Sequence, residues 1–381
     1  SFALAEAELI WPTILDDATR GELQPVYGKD QRWQEELTAA PLRPPTKAEM
    51  RHYLMALMGI YPARGCPYVC NFCSVIKIAG QKVRSQAVFV VLETIRRAIQ
   101  GGVRWLFFTS DNFNKWGNAK ELLRGMIDEN LRVPFMVQCD TQITKDPELV
   151  ELLAQAGCVE IFFGVESFDR ATLLAAQKPQ NHPDHYAEII RLCHSHSIRS
   201  YFSNIIGFPS QDEAAVLEHV RKLRSFGPSV AAFYILTPIP GTEQYDDFRR
   251  EGLIHERNLD RFDTTSMVWD HPRMQRPGQL RELLFRCYRE FFSFPDVARG
   301  LWRQIQRKSQ AGYGVALDSA LFHRWNIWRG QHPMSGGIGR IKRDCARDYA
   351  ELRHKTFGFD LASLPDSLKL SAADVAFQRP R

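Results

Sequence analysis

Cys66, Cys70 and Cys73 stand in the string RGCPYVCNFCSV, residues 64–75, with the spacing C-x₃-C-x₂-C. Three thiols on so short a loop can converge on one metal centre. A structural zinc site takes four ligands, and no nearby His or Cys supplies the fourth at finger or ribbon spacing. A [4Fe–4S] cluster normally takes four cysteines, so three leave one iron open to an exogenous ligand. Structural zinc and unrelated surface thiols are the blander alternatives that the spacing leaves open. Cys139, Cys158, Cys193, Cys287 and Cys345 form no second C-x₂-C pair, and Cys139 and Cys158 lie in or beside apolar segments as small buried hydrophobes would. Eight cysteines in 381 residues are too sparse for a disulfide scaffold and point to metal chemistry in a reducing compartment, the cytoplasm.

The elements that must position this loop follow from the rhythm of the chain. Strands are expected at Ile60–Arg64, Val103–Phe108, Phe135–Cys139, Val159–Val165, Ser200–Ile206 and Ala231–Leu236. Helices are expected between them at Val88–Gln100, Ala119–Glu129, Pro147–Ala156, His185–His194 and Asp212–Arg224. Near-continuous apolar strings such as CVEIFFGV read as parallel strands covered by helices. Six βα repeats predict an α/β fold, a partial (β/α)6 barrel whose chemistry sits on loops at the C-terminal strand ends. The polar constellations Arg64-Gly65-Cys66, Thr109–Asn114, Glu166-Ser167 and Gly207–Ser210 fall at those ends.

Outside this middle stretch, residues 1–58 read as an N-terminal lead-in. It holds helix pieces at Ala3–Leu9 and Pro12–Thr19, then a Pro-rich linker, APLRPPTK, at residues 40–47. The barrel spans residues 59–245, and residues 246–381 form a mostly helical C-terminal region with helices at Gly278–Phe291 and Val297–Gln310. Their aromatic stripe, Phe285, Tyr288, Phe291 and Trp302 with Phe292 and Trp325, is expected in the core. Trp325, Trp328, Arg329, His332 and the Gly336-Gly337 turn are the residues expected to reach a substrate cavity, while His323 and His332 make no recognisable metal pair.

Composition excludes broad classes. The chain is 44% apolar, 24% charged and 11% aromatic, which rules out disordered, fibrous and coiled-coil proteins. Its net charge of +5 is scattered rather than gathered into a nucleic-acid footprint. No apolar run reaches the ~18–20 residues needed to span a bilayer.

The cysteine motif at the end of the first expected strand resembles the radical S-adenosylmethionine superfamily. That resemblance implies a [4Fe–4S] cluster held by Cys66, Cys70 and Cys73. Its open iron would chelate the methionine moiety of S-adenosylmethionine, which is cleaved to a 5′-deoxyadenosyl radical. An electron donor such as flavodoxin or ferredoxin is implied as partner. Phe72 matches the aromatic residue that covers the cluster and packs near adenine. The turn FFTSDNFN departs from the Gly-Gly-Glu-like turn of most members, and Thr109, Ser110 and Asp111 are its local candidates for the cofactor's amino group. Asp111 has an N-cap or Asx-turn role as its alternative, and Asn112 and Asn114 are left for the substrate. Glu166 is assigned to the ribose hydroxyls, Lys178 to the cofactor carboxylate, and Ser203 and Asn204 to the ribose or carboxylate. Gly207 allows backbone to approach a flat ring, and Leu236 packs on adenine.

Further strings, AEAELIWPTILDD, GVES, KPQN, GFP and TPIPGTEQY, are similar over about residues 5–292 to the subgroup that usually carries an N-terminal cobalamin-binding domain. No such domain is read in this sequence, nor the Asp-x-His-x-x-Gly string that ligates cobalamin in many relatives. The expectation is therefore hydrogen abstraction from an apolar or aromatic small molecule without cobalamin bound by this chain. A cobalamin-dependent C-methyltransferase, with cobalamin held by a domain preceding these residues, is the alternative within the subgroup. A non-enzymatic iron–sulfur protein is the alternative outside it. A nucleic-acid-modifying enzyme would carry a basic accessory module that is not visible, and a peptide-modifying enzyme would more usually carry extra cysteine clusters.

Overall fold

A computed structural model describes residues 1–30, 32–37, 43–52, 56–256, 258–306 and 320–333. The chain divides into two compact units, one built on residues 1–38 with 341–381 and one on residues 39–340.

In the first unit β1 (Phe2–Ala3) pairs in parallel with β2 (Val26–Tyr27), and α1 (Ala7–Arg20) connects them. The two helix pieces expected here are one helix, and Ala3 lies in a strand. Pro12 sits in the second turn of α1, where it forfeits only the bond to Glu8, and the helix runs on to Gly21. The Asp17 carboxylate accepts from Tyr27 Oη at 2.7 Å and from Arg20, which ties the helix to β2.

The second unit opens with a four-residue helix, α2 (Lys47–Met50), which starts at the last residue of the Pro-rich linker. Thr46 and Glu49 close a capping box around its first turn. Then follow β3 (Leu57–Ile60), β4 (Ala63–Arg64), α3 (Val75–Ile78), β5 (Arg84–Ser85), α4 (Val88–Gln100), β6 (Trp105–Phe108), α5 (Ala119–Asp128), β7 (Phe135–Cys139) and α6 (Pro147–Ala156). After them come β8 (Cys158–Glu166), α7 (Arg170–Ala175), α8 (Tyr186–Ser195), β9 (Arg199–Ile206), α9 (Glu213–Phe226), β10 (Val230–Ile235), α10 (Glu243–Arg250), α11 (Gln279–Phe291) and α12 (Phe294–Gln306). The expected elements of residues 59–240 recur with boundaries moved by a residue or two. The first strand is the exception: it breaks after Ile60, and Ala63–Arg64 pairs elsewhere.

Six strands make one parallel sheet in the order β10-β9-β8-β7-β6-β3, so each crossover lands beside the previous strand. Among the described residues β3 and β10 are not paired with each other, so the barrel is open. Strand side chains alternate between faces. One set, including Leu106, Phe108, Phe135, Val137, Ile161, Phe163 and Phe202, is completely buried in the main core with α4, α5, α6 and α8. The opposite set, Trp105, Phe107, Met136, Gln138, Phe162 and Gly164, is only half-buried and forms the inner face. Glu160 and Arg199 join this face as a buried ion pair at 3.2 Å.

The antiparallel pair β4·β5 closes the base of the cysteine loop. At the far edge of the sheet, α11 covers β10. Tyr288 Oη accepts from the backbone N of Phe233 at 3.0 Å, and the carbonyl of Phe233 lies 2.7 Å from His332 Nε2. These bonds satisfy edge groups that have no strand partner among the described residues. Phe285, Tyr288, Phe291 and Phe292 are buried as expected, but Trp302 (61% exposed) and Trp325 (48% exposed) are not. Their faces of α12 and of helical residues 320–328 point away from the packed side. Among the described residues no helix is long and apolar enough to cross a membrane.

Asn204 on β9 is joined to α9 by His219, whose Nε2 lies 2.9 Å from Asn204 Oδ1. Burial lowers the His219 pKa from 6.5 to about 4, with a smaller push from Lys222. The unfolded chain then binds a proton that the folded chain refuses. This contribution to stability is full above pH ~6.5 and falls away toward pH ~4, by about 3 kcal/mol. Urea midpoints between pH 7 and 4 should drop steeply in the wild type and less steeply in His219→Gln. Parallel pH profiles for the two proteins would contradict the assignment.

Candidate functional site

The cysteine loop leaves the sheet at β3, passes through β4 and returns at β5. Gly65 opens it at φ +105, and a Cβ there would lie 2.4 Å from the carbonyl oxygen of Lys82, so only glycine fits. Cys66 N donates to Gly80 O at 3.1 Å, and Cys73 N donates to Cys70 O at 3.1 Å. Arg84 is buried and donates to Ala79 O at 2.8 Å, holding the return of the loop. All three thiols are free, with Cys70 buried and the other two half-buried. Burial pushes the Cys73 thiol up to about 11. Among the described residues no three His, Cys, Asp or Glu side chains converge on a single-ion position. A polynuclear cluster, whose thiolates bind different irons, does not require that convergence.

The turn after β6 holds the loop from below. Asp111 Oδ2 accepts from Tyr61 Oη at 2.6 Å and from Gly65 N at 2.9 Å. Ser110 Oγ accepts from Ala63 N at 3.3 Å, and Thr109 donates its N–H and hydroxyl to Ile60 O. The carboxylate therefore grips the loop across the sheet, and neither caps its own turn nor stands free. Asn112 and Asn114, set aside for a substrate, instead clamp Asp140 at the end of β7. Their Nδ2 groups donate to its carboxylate at 2.9 and 3.0 Å, and their Oδ1 atoms accept from its backbone N at 3.1 and 2.9 Å. Asn112 Nδ2 also approaches Cys66 Sγ at 3.8 Å.

At the end of β8 the register with β9 shifts between Gly164 and Glu166, and Glu166 adopts φ +59. A non-glycine residue there carries strain of roughly 1–3 kcal/mol, which the surroundings must hold in place. Glu166 and Lys178 form a buried ion pair, Oε1 to Nζ at 2.7 Å. The pair lies over Gly164, where a Cβ would stand 2.5 Å from the carboxylate and 2.9 Å from the ammonium. Burial works against the Lys178 charge. Glu166, with the nearby thiols of Cys70 and Cys73, outweighs it and leaves the pKa raised. Lys178 Nζ is also 5.9 Å from the Phe72 ring.

The residues just after Lys178 strap the loop to the strand ends. Gln180 Nε2 lies 3.6 Å from Cys70 Sγ. Asn181 donates to Gly164 O and Val165 O at 2.8 and 3.0 Å and accepts from Thr141 Oγ1 at 3.0 Å. Sequence reasoning singled out Lys178 and passed over Gly164, Gln180, Asn181 and Asp140. The amides following Lys178-Pro179 and the Asp following the apolar FMVQC were the available signals.

The remaining candidates divide. Leu236 is buried with Ala176, Phe208, Phe248, Val268 and Trp269, and Phe72 packs against that cluster, so the two expected ring contacts belong to one apolar cluster. Ser203 pairs with Gly164 on the inner face. Gly207 has φ +81, but its N–H and that of Phe208 both donate to Gln211 Oε1. Asn204 gives way as a cofactor contact. It is completely buried, its Nδ2 donates to Phe202 O and Ala232 O, and its Oδ1 faces His219. Trp325 and Trp328 are exposed and lie against each other with tilted rings at 5.3 Å, and His332 caps the sheet edge, so none of the three enters a cavity beside the cysteines. Arg329 lies over the Trp325 ring. Gly336, Gly337 and Cys345 lie outside the described residues.

Residues 60–223 match the family model of the Radical SAM superfamily. Bacteriochlorophyllide d C-8(2)-methyltransferase of Chlorobaculum tepidum is 26% identical over 311 residues, 77% of this chain and 67% of that protein. Hopanoid C-2 methylase of Rhodopseudomonas palustris is 28% identical over 254 residues, 64% of this chain and 47% of the other. This chain thus spans about half to two thirds of the length of these relatives. A solved structure of the cobalamin-dependent S-adenosylmethionine radical enzyme OxsB, with aqua-cobalamin and S-adenosylmethionine bound, shares the fold. Its TM-score is 0.54 at 12% identity, over 86% of this chain and 55% of that one.

The Glu166–Lys178 pair makes a prediction independent of any ligand. Removing one member of a buried pair typically costs about 3–5 kcal/mol, because the other charge is left alone. Lys178→Met should show a loss of that size by urea unfolding near neutral pH, and the Glu166→Gln/Lys178→Met double variant should lose clearly less than the two singles added together. Simple additivity would mean that the two charges do not depend on each other.

Proposed function

Because the chain belongs to the radical S-adenosylmethionine superfamily and is an enzyme of it, we propose that it transfers a methyl group to a carbon of an apolar small molecule in a cobalamin-dependent reaction. The observation that carries this reading is the alignment over 77% of the chain with bacteriochlorophyllide d C-8(2)-methyltransferase. It takes precedence over the hydrogen abstraction without cobalamin expected from the sequence, because the two similar proteins named above are a methyltransferase and a methylase. The cluster, S-adenosylmethionine and cobalamin, when bound, supply a 5′-deoxyadenosyl radical and a methyl carrier.

The chain's own residues do the holding and the excluding. Cys66, Cys70 and Cys73 would hold the cluster. The donor set fits: three free thiols on one pinned loop, two of them facing side-chain amides. Phe72 and Leu236, both in one apolar cluster, would offer apolar surface to a flat ring. Glu166 would accept ribose hydroxyls through the carboxylate oxygen that does not bond Lys178, and Lys178 would meet a carboxylate while staying paired with Glu166. Thr109, Ser110 and Asp111 would serve the amino group mainly by fixing the loop edge that faces it, with Ser203 and Gly207 on the β9 side. Trp105, Phe107, Met136 and Phe162 give the inner face of the sheet the character an apolar substrate needs. A small reducing protein such as flavodoxin or ferredoxin would supply electrons.

Anaerobically reconstituted protein should bind four irons per chain, and changing Cys66, Cys70 and Cys73 together to Ala should abolish them. With reductant, added cobalamin, methyl-labelled S-adenosylmethionine and a chlorin or triterpenoid acceptor, the products should be 5′-deoxyadenosine and S-adenosylhomocysteine in equal amounts. 5′-Deoxyadenosine formed with an acceptor, without S-adenosylhomocysteine and regardless of cobalamin, would replace methyl transfer by hydrogen abstraction alone.

A further inference from the structure

Two side-chain amides from separate parts of the barrel point N–H groups at two different cysteine sulfurs. Asn112, in the turn after β6, has Nδ2 at 3.8 Å from Cys66 Sγ. Its orientation is set from both sides by Asp140, whose carboxylate accepts from Nδ2 at 2.9 Å and whose backbone N donates to Oδ1 at 3.1 Å. Gln180, in the strap beyond α7, has Nε2 at 3.6 Å from Cys70 Sγ. Both residues are buried, and among the described residues Gln180 Oε1 has no hydrogen-bond partner.

A neutral thiol is a weak acceptor. A buried amide whose N–H meets only a thiol, and whose oxygen meets nothing, is poorly satisfied. A metal-bound thiolate changes that, since an anionic acceptor makes the stronger, charge-assisted bond. The arrangement of Gln180 makes physical sense when the sulfur is charged. Hydrogen bonds to the sulfurs are one of the means by which a protein sets a cluster's potential. An N–H brings partial positive charge to the sulfur, so it favours the reduced cluster, which carries one more negative charge. Burial strengthens the effect by excluding water.

We propose that Asn112 and Gln180 are positioning residues that raise the reduction potential of the cluster through N–H···S bonds to Cys66 and Cys70. The proposal rests on the reading that these cysteines hold a [4Fe–4S] cluster, and goes beyond it by assigning to two amides the ease with which that cluster accepts its electron. It also links the potential to the barrel, since Asn112 is held by the end of β7 and Gln180 lies beside the Lys178–Glu166 pair.

The test uses reconstituted wild type, Asn112→Leu, Gln180→Met and the double variant, each titrated potentiometrically and followed by the electron paramagnetic resonance signal of the reduced cluster. At the wild-type midpoint each single variant should contain less reduced cluster. The double variant's reduced-to-oxidised ratio should fall about tenfold, a shift of ~59 mV for a one-electron couple. Gln180→Glu, which keeps the shape but replaces the donor with an acceptor, should fall further than Gln180→Met. Four irons with an unchanged midpoint in both single variants would overturn the proposal. So would failure of both to load iron under conditions that load the wild type, because the amides would then retain the cluster rather than tune it. A wild type that binds no four-iron cluster would overturn the cysteine assignment itself, and this proposal with it.

Discussion

A buried ammonium and a buried carboxylate cannot be placed independently, and much of this site follows from that constraint. Lys178 and Glu166 lie 2.7 Å apart with little water near either. Each charge would be prohibitively desolvated alone. The pair therefore fixes the path of the segment after α7 against the end of β8. With Lys178 anchored, the next three residues cross the strand ends, and Gln180 and Asn181 reach Cys70, Thr141 and the backbone of Gly164 and Val165. Gly164 is the counterpart of the pair, since any larger residue would occupy the volume of the two charged groups. The left-handed backbone at Glu166 belongs to the same device: strain at one residue is tolerated where an ion pair holds its side chain.

The two faces of the sheet divide the work. The outer face is dry, aromatic and continuous with the helices, and supplies most of the apolar burial that stabilises the unit. The inner face is left half-covered, with large side chains that do not pack to completion. An open barrel can afford this because its free edge at β10 is closed by other means, with Tyr288 and His332 satisfying Phe233. The Glu160–Arg199 pair on the inner face adds a polar feature to an otherwise apolar surface. Such a pair is weak grounds for stability, but it does set which part of the face is polar.

The cysteine loop has little regular structure of its own beyond α3. Its shape is imposed from outside by Asp111, by Arg84 and by the β4·β5 pairing. This explains how three thiols can be presented on a flexible-looking sequence such as GCPYVCNFC. Each end of the loop is tied to a different neighbour, and the side-chain amides of Asn112 and Gln180 come from two more.

The α/β repeat, the six strands and the three cysteines were legible along the chain because they depend on local pattern: apolar runs of strand length, helical periodicity, and ligand spacing within a few residues. Glu166, Lys178, Phe72 and Leu236 were also legible as residues of interest, since each stands at a strand end or beside the motif. Their partners were not. Nothing local to Asp111 says that its carboxylate will hold Tyr61 and Gly65 rather than cap its own turn, because those groups lie across the sheet. Asn204 read as a site residue at a strand end, yet strand alternation turned it outward to His219, and the phase of that alternation is set by packing. Pro12 marked a break that a single lost hydrogen bond does not enforce. Local sequence thus determined which elements form and which residues carry chemistry. Only the tertiary structure decided which buried polar groups satisfy one another, because a buried donor or charge takes whatever partner folding brings within reach, and that partner is seldom near in sequence.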